Sequence, residues 1–308
     1  QHISPYKKGE DAVMDIWLLS NCKYFFRTHG GNFSSQPERI NPKLIVTKIE
    51  DYGNGNIWHR DTINMIKITH NAGFFSCCSV KLTKIVEFIN LNKRLPNHVD
   101  SSQQFLLYKK KEEKKKDITF DYFEHYENFT DVNIIHPIYY HYNDQFKNYS
   151  NLDYKYITPL IKKYFSPSVK INEIINTIEK KYNIVHDNTV AVYYRGTDKK
   201  IETQLAPFGD FYNQIIKIVN INKNIKILLQ TDCYQFIDYI NKNKLKNVVI
   251  IDENKTSYTD KGIHYEQSSD TNYYDMFNFL STIIILSKCK YIICSSGNCS
   301  LWVMLYRG

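Results

Sequence analysis

The sequence lacks three features that would assign it to a well-defined class of protein. No apolar run approaches the ~20 residues of a membrane-spanning helix, and the longest, Leu280 to Leu286, indicates a buried helix. No secretory pattern is present at the beginning. The seven Cys include adjacent Cys77 and Cys78 but no CxxC pair with zinc spacing. We therefore expect a cytoplasmic protein with reduced thiols, no transmembrane segment and no metal.

What is present fits a globular protein of 308 residues, of which 43% are hydrophobic. This length is enough for two domains with separate cores. The net charge is +8, and about half of it comes from the run of six Lys and two Glu at 109–116. We interpret that run as a solvated loop or frayed helix. It has no interleaved aromatic residues and no nucleic-acid-binding motif is recognisable, so we do not expect a nucleic-acid partner.

A segment near the beginning of the sequence recurs near its end. Leu19–Phe26 (LSNCKYFF) is similar to Leu286–Ile293 (LSKCKYII), and a Gly-Asn-x-Ser turn follows each copy. The copies lie about 266 residues apart, too far for a solenoid repeat. The repeat indicates a duplicated domain, with residues 1–45 as the tail of a preceding unit. We therefore expect a functional unit from about residue 50 to 308, and a tandem sister domain upstream.

Within that unit, strand patterns alternate with helix patterns. The expected strands are 66–69, 189–194, 225–230, 247–251 and 291–294, and the expected helices are 80–92, 160 or 171 to 182, 211–219, 234–241 and 273–286. Residues 109–150 indicate long loops with short strands such as 132–135. Strands separated by helices favour right-handed βαβ units and a parallel sheet. A break near residue 185 divides the unit into two α/β halves, 50–185 and 186–308.

The strongest candidate site follows the strand at 189–194. The loop Arg195-Gly196-Thr197-Asp198-Lys199 offers two cations, a hydroxyl and a carboxylate where a parallel sheet usually binds its ligand. A guanidinium provides a fork of donors for phosphate oxygens, and Gly196 would let the backbone approach them. Lys199 would stabilise a departing diphosphate. The alternative is a surface turn in which Asp198 pairs with Arg195 or Lys199.

Two further loops follow predicted strands. Asp232 comes directly before a helix, where it would either cap that helix or accept hydrogen bonds from a base or a ribose. Ser295, Ser296 and Asn298 precede the last helix, whose first N–H groups would bind an anion, with ordinary serine capping as the alternative.

Three weaker candidates complete the set. His70 and Gly73 lie in a strand-to-helix turn of the first half, and His264 lies in a polar loop before the helix at 273–286. A two-domain architecture would turn the first pair towards the same cleft as the Arg195 loop. A loop histidine is often merely exposed to solvent, so His264 alone is not specific.

Taken in order, these motifs resemble the GDP-fucose-dependent fucosyltransferases of the α-1,6 and nodulation-factor type. The similarity is clearest over residues 186–308: an Arg-x-Thr-Asp-Lys loop, a Thr-Asp strand end, a Gly-x-His loop and a Ser-Ser-x-x-Cys turn. Over residues 63–100 it is weak. The resemblance implies a GT-B fold, with two Rossmann-like domains facing a cleft, and inverting, metal-independent transfer of fucose to a glycan hydroxyl.

The resemblance also implies roles for individual residues. Arg195 would hold the β-phosphate, Lys199 would assist the leaving diphosphate and Asp232 would contact the guanine, while Ser295, Ser296 and nearby backbone would bind phosphate. The family's catalytic Glu falls on Thr203, so neighbouring Glu202 is the candidate general base. Tyr193, Gly196 and Gly297 also depart from the family pattern.

Two other functions remain open at this stage. The same fold would serve a transferase that uses another nucleotide sugar. A degenerate, non-catalytic glycan-binding module is the second alternative; the missing second Arg and the displaced Glu favour it, whereas Arg195, Asp198 and Lys199 argue against it.

Overall fold

The computed structural model describes residues 24–28, 45–49, 65–129 and 137–308. They form a mixed α/β structure with parallel sheets. The chain divides into two compact units, Gln1–Met65 and Ile66–Gly308. The strand expected at 132–135 lies outside the described residues. The domain boundary expected at about residues 45–50 stays a prediction.

The described strands are β1 (Tyr24–Thr28), β2 (Ile45–Ile49), β3 (Met65–Lys67), β4 (His98–Asp100), β5 (Thr189–Tyr194), β6 (Lys226–Thr231), β7 (Val248–Ile250) and β8 (Tyr291–Cys294). The described α-helices are α1 (Phe74–Asn92), α2 (Thr119–Tyr122), α3 (Tyr154–Tyr164), α4 (Val169–Lys181), α5 (Lys199–Glu202), α6 (Phe208–Ile221), α7 (Tyr234–Lys242), α8 (Ile263–Glu266), α9 (Ser269–Lys288) and α10 (Asn298–Arg307). Short 3₁₀ helices occupy much of the segment between β4 and α3. None of the helices described here is long and apolar enough to span a membrane.

The described residues of the first unit form one parallel strand pair. Strand β1 pairs with β2, and Tyr24 lies opposite Ile45. In the second unit, β8 begins at Tyr291, the residue that corresponds to Tyr24 in the sequence repeat. Both copies of the repeat therefore form a strand that starts at the same tyrosine. A duplicated domain stays a prediction.

The second unit is built on a four-stranded parallel sheet in the order β7-β6-β5-β8. Strand β5 lies inside the sheet, and all six of its residues are buried. Its side chains alternate between two hydrophobic clusters: Val190 and Val192 pack on the side of α6 and α7, and Ala191 and Tyr193 on the other side. The sequence has no polar alternation here because both faces of the strand are covered.

The hydrophobic cluster on the Ala191 and Tyr193 side of β5 is the larger one, and it joins the two predicted halves of the unit. Trp302 of α10 is fully buried and packs against Phe75 of α1 and Phe165, with ring centroids 6.0 and 4.7 Å away. Its indole N–H donates to Ser79 Oγ at 2.9 Å. The halves expected at 50–185 and 186–308 thus share a core. Before residue 185, the described residues of this unit contain one sheet, the pair β3-β4, and a Rossmann-like first half stays a prediction.

Most elements match the sequence expectations, with three differences. Helix α1 begins at Phe74, earlier than expected, because its first two turns are buried almost throughout and show no amphipathic pattern. The helix expected before residue 182 is two helices, α3 and α4, separated by a segment that contains Pro167. In the lysine-rich run, Lys109 is buried and its ammonium donates to the carbonyls of Ser102 and Lys114, although most of the run is exposed as expected.

Lys81 of α1 is a charged residue inside the apolar core. Its side chain is fully buried, and its ammonium donates a 3.2 Å hydrogen bond to Thr119 Oγ1. Burial lowers its pKa from 10.5 to about 8, although the carboxylates of Asp117 and Asp100 act in the opposite direction. Keeping this amine charged in the folded state costs free energy at neutral pH.

We expect Lys81→Met to stabilise the fold at pH 7 by roughly 1–3 kcal/mol, since the pKa difference corresponds to about that energy. Between pH 8 and 10.5 the unfolded chain binds the proton more strongly than the folded chain, so the unfolding free energy of the wild type rises with pH. The advantage of the variant should therefore shrink across this range. Urea denaturation at several pH values measures the difference in unfolding free energy between the variant and the wild type. Lys84→Met, at a half-exposed position of the same helix, is the control; a destabilised Lys81→Met at pH 7 would contradict the argument.

Candidate functional site

The strand order creates a crevice at the carboxyl ends of β5 and β8. From β5 the chain moves outwards through β6 to β7, and then returns to place β8 on the other side of β5. The loops that follow β5 and β8 therefore leave the sheet in opposite directions. Open α/β sheets bind ligands in the crevice between two such loops. A cavity of about 300 Å³ lies here, and residues before and after 185 both line it.

Eight of the eleven candidate residues from the sequence line this cavity. They are Gly73, Arg195, Asp198, Lys199, Glu202, Asp232, His264 and Asn298. Ser295 and Ser296 are not among the lining residues, and neither is His70, which contacts the lining residue Ser76. The structure thus brings together the Arg195 loop, the end of β6, the Gly-x-His loop and the turn before α1.

Arg195 is held by partners from two loops. Its Nη2 donates to both carboxylate oxygens of Asp198 at 2.9 and 3.1 Å, and its Nη1 contacts Cys299 Sγ at 3.4 Å. Its Nε lies 3.8 Å from Asp232 Oδ2, too far for a hydrogen bond, and has no acceptor in the described part of the chain. The guanidinium is therefore fixed in the cavity wall with one buried donor unused.

Asp232 organises the Arg195 loop and does not cap a helix. Helix α7 begins two residues later, with Cys233 as its N-cap and no side-chain cap. The Asp232 carboxylate instead accepts from Gly196 N–H and Thr197 Oγ1, both at 2.8 Å. The capping alternative is wrong at this position. Burial raises the Asp232 pKa above its ordinary value, against the opposing effect of Arg195.

Gly196 is required by packing beneath the loop. A Cβ at this position would lie 2.8 Å from Cys233 Cβ and 2.8 Å from the Tyr194 ring, and Gly196 does not line the cavity. We expected this glycine to let the backbone approach a phosphate. The structure gives a different reason for a glycine here: Cys233 and Tyr194 leave no room for a side chain. Gly73 differs, because a Cβ there would meet no atom within 4 Å.

Lys199 is buried beside the N-terminus of α10. Its side chain is 5% exposed, and its ammonium pairs with the Glu202 carboxylate, which is 51% exposed. A Cβ on Gly297, the N-cap of α10, would lie 3.4 Å from Lys199 Cε. The ammonium thus lies close to the positive end of a helix dipole, an arrangement that favours a bound anion.

Two helices begin at the cavity without a side-chain cap. Gly73 is the N-cap of α1 and Gly297 that of α10, and neither glycine has a side chain that could cap its helix. The N–H of Phe74, the first residue of α1, donates to Tyr108 Oη at 3.0 Å. The N–H of Gly297 donates to Tyr149 Oη at 3.0 Å. At the second helix start, Asn298 lines the cavity together with Cys299, whereas Ser295 and Ser296, which the sequence also pointed to, do not.

Gly262 lies between the side chains of Asp198 and His264. A Cβ on Gly262 would come within 2.7 Å of Asp198 Oδ2 and 3.1 Å of His264 Cε1, so glycine is needed for this approach. Burial and the nearby Arg195 lower the His264 pKa below 6.5, so the imidazole is neutral at pH 7. Burial acts to raise the Asp198 pKa, but Arg195 outweighs it and the pKa lies below its usual range.

Several lining residues carry no signal in the sequence. They include Ser76, Tyr108, Gln145, Asn254, Asn272 and Asp275. Gln145 Oε1 and Asn254 Oδ1 are buried and have no hydrogen-bond partner within the described ranges. These residues belong to separate loops and helices, and only the folded chain brings them together. The described residues contain no group of three or more His, Cys, Asp or Glu that could hold a metal ion.

We expect Gly196→Ala to destabilise the fold by about 1–3 kcal/mol, because the added methyl group would overlap Cys233 and Tyr194. Gly73→Ala should change stability by less than half as much, since its methyl group enters open space. Urea unfolding of the two variants measures the difference. Equal stabilities would show that the packing beneath the loop is not as tight as the structure indicates.

The chain was also compared with known proteins. No protein-family model matches it, and no curated protein matches its sequence significantly. Its function therefore has to be argued from the geometry and chemistry of the cavity.

Proposed function

We propose that this protein is a glycosyltransferase that binds a nucleotide sugar in the cavity beyond β5 and β8. GDP-fucose is the favoured donor and a glycan hydroxyl the favoured acceptor, with inversion at the anomeric carbon and no metal. In this proposal the residues before and after 185 act as the two sides of a GT-B cleft. A transferase using another nucleotide sugar is a variant of the same proposal.

One observation carries the proposal: two cations and two uncapped helix N-termini meet in one cavity at the switch point of a parallel sheet. Arg195 and Lys199 are held in its wall, and α1 and α10 both begin there. Arg offers several N–H donors in one plane, Lys a point charge, and each helix start a partial positive charge. Arg195, Lys199 and the start of α10, which lies beside Lys199, together suit a diphosphate. The start of α1 forms the wall that carries Gly73 and Ser76.

Each cation has a carboxylate partner within the chain, and a diphosphate would replace these partners. Asp198 accepts two hydrogen bonds from Arg195, and Glu202 accepts from Lys199. As the bond from the anomeric carbon to the diphosphate breaks, negative charge grows on the leaving oxygen, and these cations stabilise it.

Glu202 is the candidate base from the sequence, and its surroundings suit a different role. Its carboxylate accepts from the Lys199 ammonium, so it holds the cation that the leaving group needs. A carboxylate that already accepts from a buried ammonium holds that ammonium in place and is less available to take a proton from an acceptor. Another residue of the cavity would therefore act as the acceptor's base.

A non-catalytic glycan-binding module is the second candidate. The observation that favours it is the same pairing: both cations already have a carboxylate partner within the chain, so the cavity is electrostatically satisfied without a nucleotide. Binding of nucleoside diphosphates separates the two candidates, because the module has no use for them.

We expect GDP and GDP-fucose to raise the melting temperature of the wild type without a divalent metal, and Arg195→Ala to abolish this shift. A ligand that binds only the folded state stabilises it by mass action. Arg195 provides the forked donors, so its loss should weaken binding at least tenfold, as expected for charged hydrogen bonds. A thermal-shift titration with GDP, UDP, CDP, ADP and their sugar conjugates measures this.

Arg94→Ala, at an exposed position of the same unit, is the matched control and should keep the full shift. A shift with UDP alone would retain the transferase and replace the donor. No shift with any nucleotide in the wild type would overturn the proposal in favour of the glycan-binding module.

A further inference from the structure

A serine and a histidine form a hydrogen-bonded pair at the wall of the cavity. His70 Nε2 lies 3.0 Å from Ser76 Oγ. Ser76 lies in the first turn of α1 and lines the cavity together with Arg195 and Lys199, whereas His70 stands behind it. Serine next to a neutral imidazole is the arrangement in which a hydroxyl exchanges its proton most readily.

The turn that presents this pair is fixed by hydrogen bonds from several directions. The Asn71 amide donates to the carbonyls of Thr69 and Gln103, and its oxygen accepts from Leu106 N–H. The Cys77 thiol contacts the His70 carbonyl at 3.5 Å. A site whose supporting residues are held in this way keeps its geometry when a ligand enters.

Burial lowers the pKa of His70 below its ordinary value of 6.5, so the ring is neutral at pH 7. The Cys77 thiol on the same helix contacts the His70 carbonyl, and the cavity that Ser76 lines also contains the titratable groups of Tyr108, Tyr193, Arg195, Asp198, Lys199, Glu202, Asp232, Lys255, His264, Tyr265, Asp275 and Cys299. With its proton on Nδ1, the ring accepts from Ser76 at Nε2. The two other candidate bases already interact with a cation: Glu202 accepts a hydrogen bond from the Lys199 ammonium, and His264 lies beside Arg195.

We propose that Ser76 and His70 form the proton relay that activates the acceptor hydroxyl. The inference rests on the proposed function and assigns its missing base. The acceptor oxygen forms a bond to the anomeric carbon while the bond from that carbon to the diphosphate breaks. The electron pair of the broken bond leaves with the diphosphate. The acceptor's proton passes to Ser76 Oγ, whose own proton passes to His70 Nε2. The imidazolium then returns a proton to water.

The position of Ser76 in α1 supports this assignment. The first turn of a helix has a positive potential, which stabilises the partial negative charge that Ser76 Oγ carries during the transfer. The same helix start lines the cavity at Gly73, beside which a ligand would find open space. One wall thus receives the acceptor, and the Arg195 loop receives the diphosphate.

The test measures release of GDP from GDP-fucose in the presence of a panel of glycan acceptors, together with the thermal shift given by GDP. Ser76→Ala should keep the GDP shift and lose turnover by about a hundredfold or more, the usual contribution of a general base. His70→Gln should lose a similar factor in kcat with little change in the donor KM. It should also lose the fall in activity at acidic pH that we expect of the wild type. This fall should lie below the ordinary range of a histidine, because burial lowers the His70 pKa.

The controls are Ser166→Ala and His125→Gln, which replace the same residue types at exposed hydrogen-bonded positions. The melting temperature without ligand shows whether each variant folds. A Ser76→Ala or His70→Gln variant that folds, binds GDP and keeps full turnover overturns the relay while the transferase stands. A wild type that binds no nucleotide and releases no GDP overturns both.

Discussion

The site depends on the complete burial of strand β5 inside the parallel sheet. Because both of its faces are covered and both of its edges are paired, its end has one position relative to β6 and β8. Arg195 follows directly, so its guanidinium is anchored to the most rigid part of the unit. From this point the carboxylate of Asp232, at the end of the neighbouring strand, fixes the rest of the loop through Gly196 and Thr197.

The sheet was the most predictable part of the structure. Strands β5 and β8 occur where the apolar runs predict them. In β5, which is buried on both faces, the strand is a short, continuous apolar segment with polar residues at its ends. The helices that follow were placed within a few residues. The start of α1 was not, since its buried first turns have no helical periodicity. Local pattern thus predicts a short buried strand or a one-sided helix well, and a helix that is buried all round less well.

The site was most predictable where a residue follows a strand. Arg195, Asp198, Lys199 and Asp232 all follow predicted strands, and parallel strands bring such positions to one edge. The direction in which each side chain acts was not predictable. Asp232 faces the loop, and Gly196 accommodates Cys233, because contacts between distant segments decide both. The turn before α1 was expected to face the cleft of the Arg195 loop, but no pattern in the sequence singled out Ser76 within it.

The pairing of the cations gives the cavity its chemical character. A charge buried without a partner loses its hydration at a cost in free energy. Asp198 and Glu202 remove that cost for Arg195 and Lys199. The Glu202 side chain is 51% exposed while that of Lys199 is 5% exposed, and a carboxylate so exposed regains its hydration when it is displaced. In the other pair the Asp198 side chain is 16% exposed and that of Arg195 25%, so Asp198 is the harder partner to displace. In the proposed function, a diphosphate would therefore replace Glu202 at Lys199 more readily than Asp198 at Arg195.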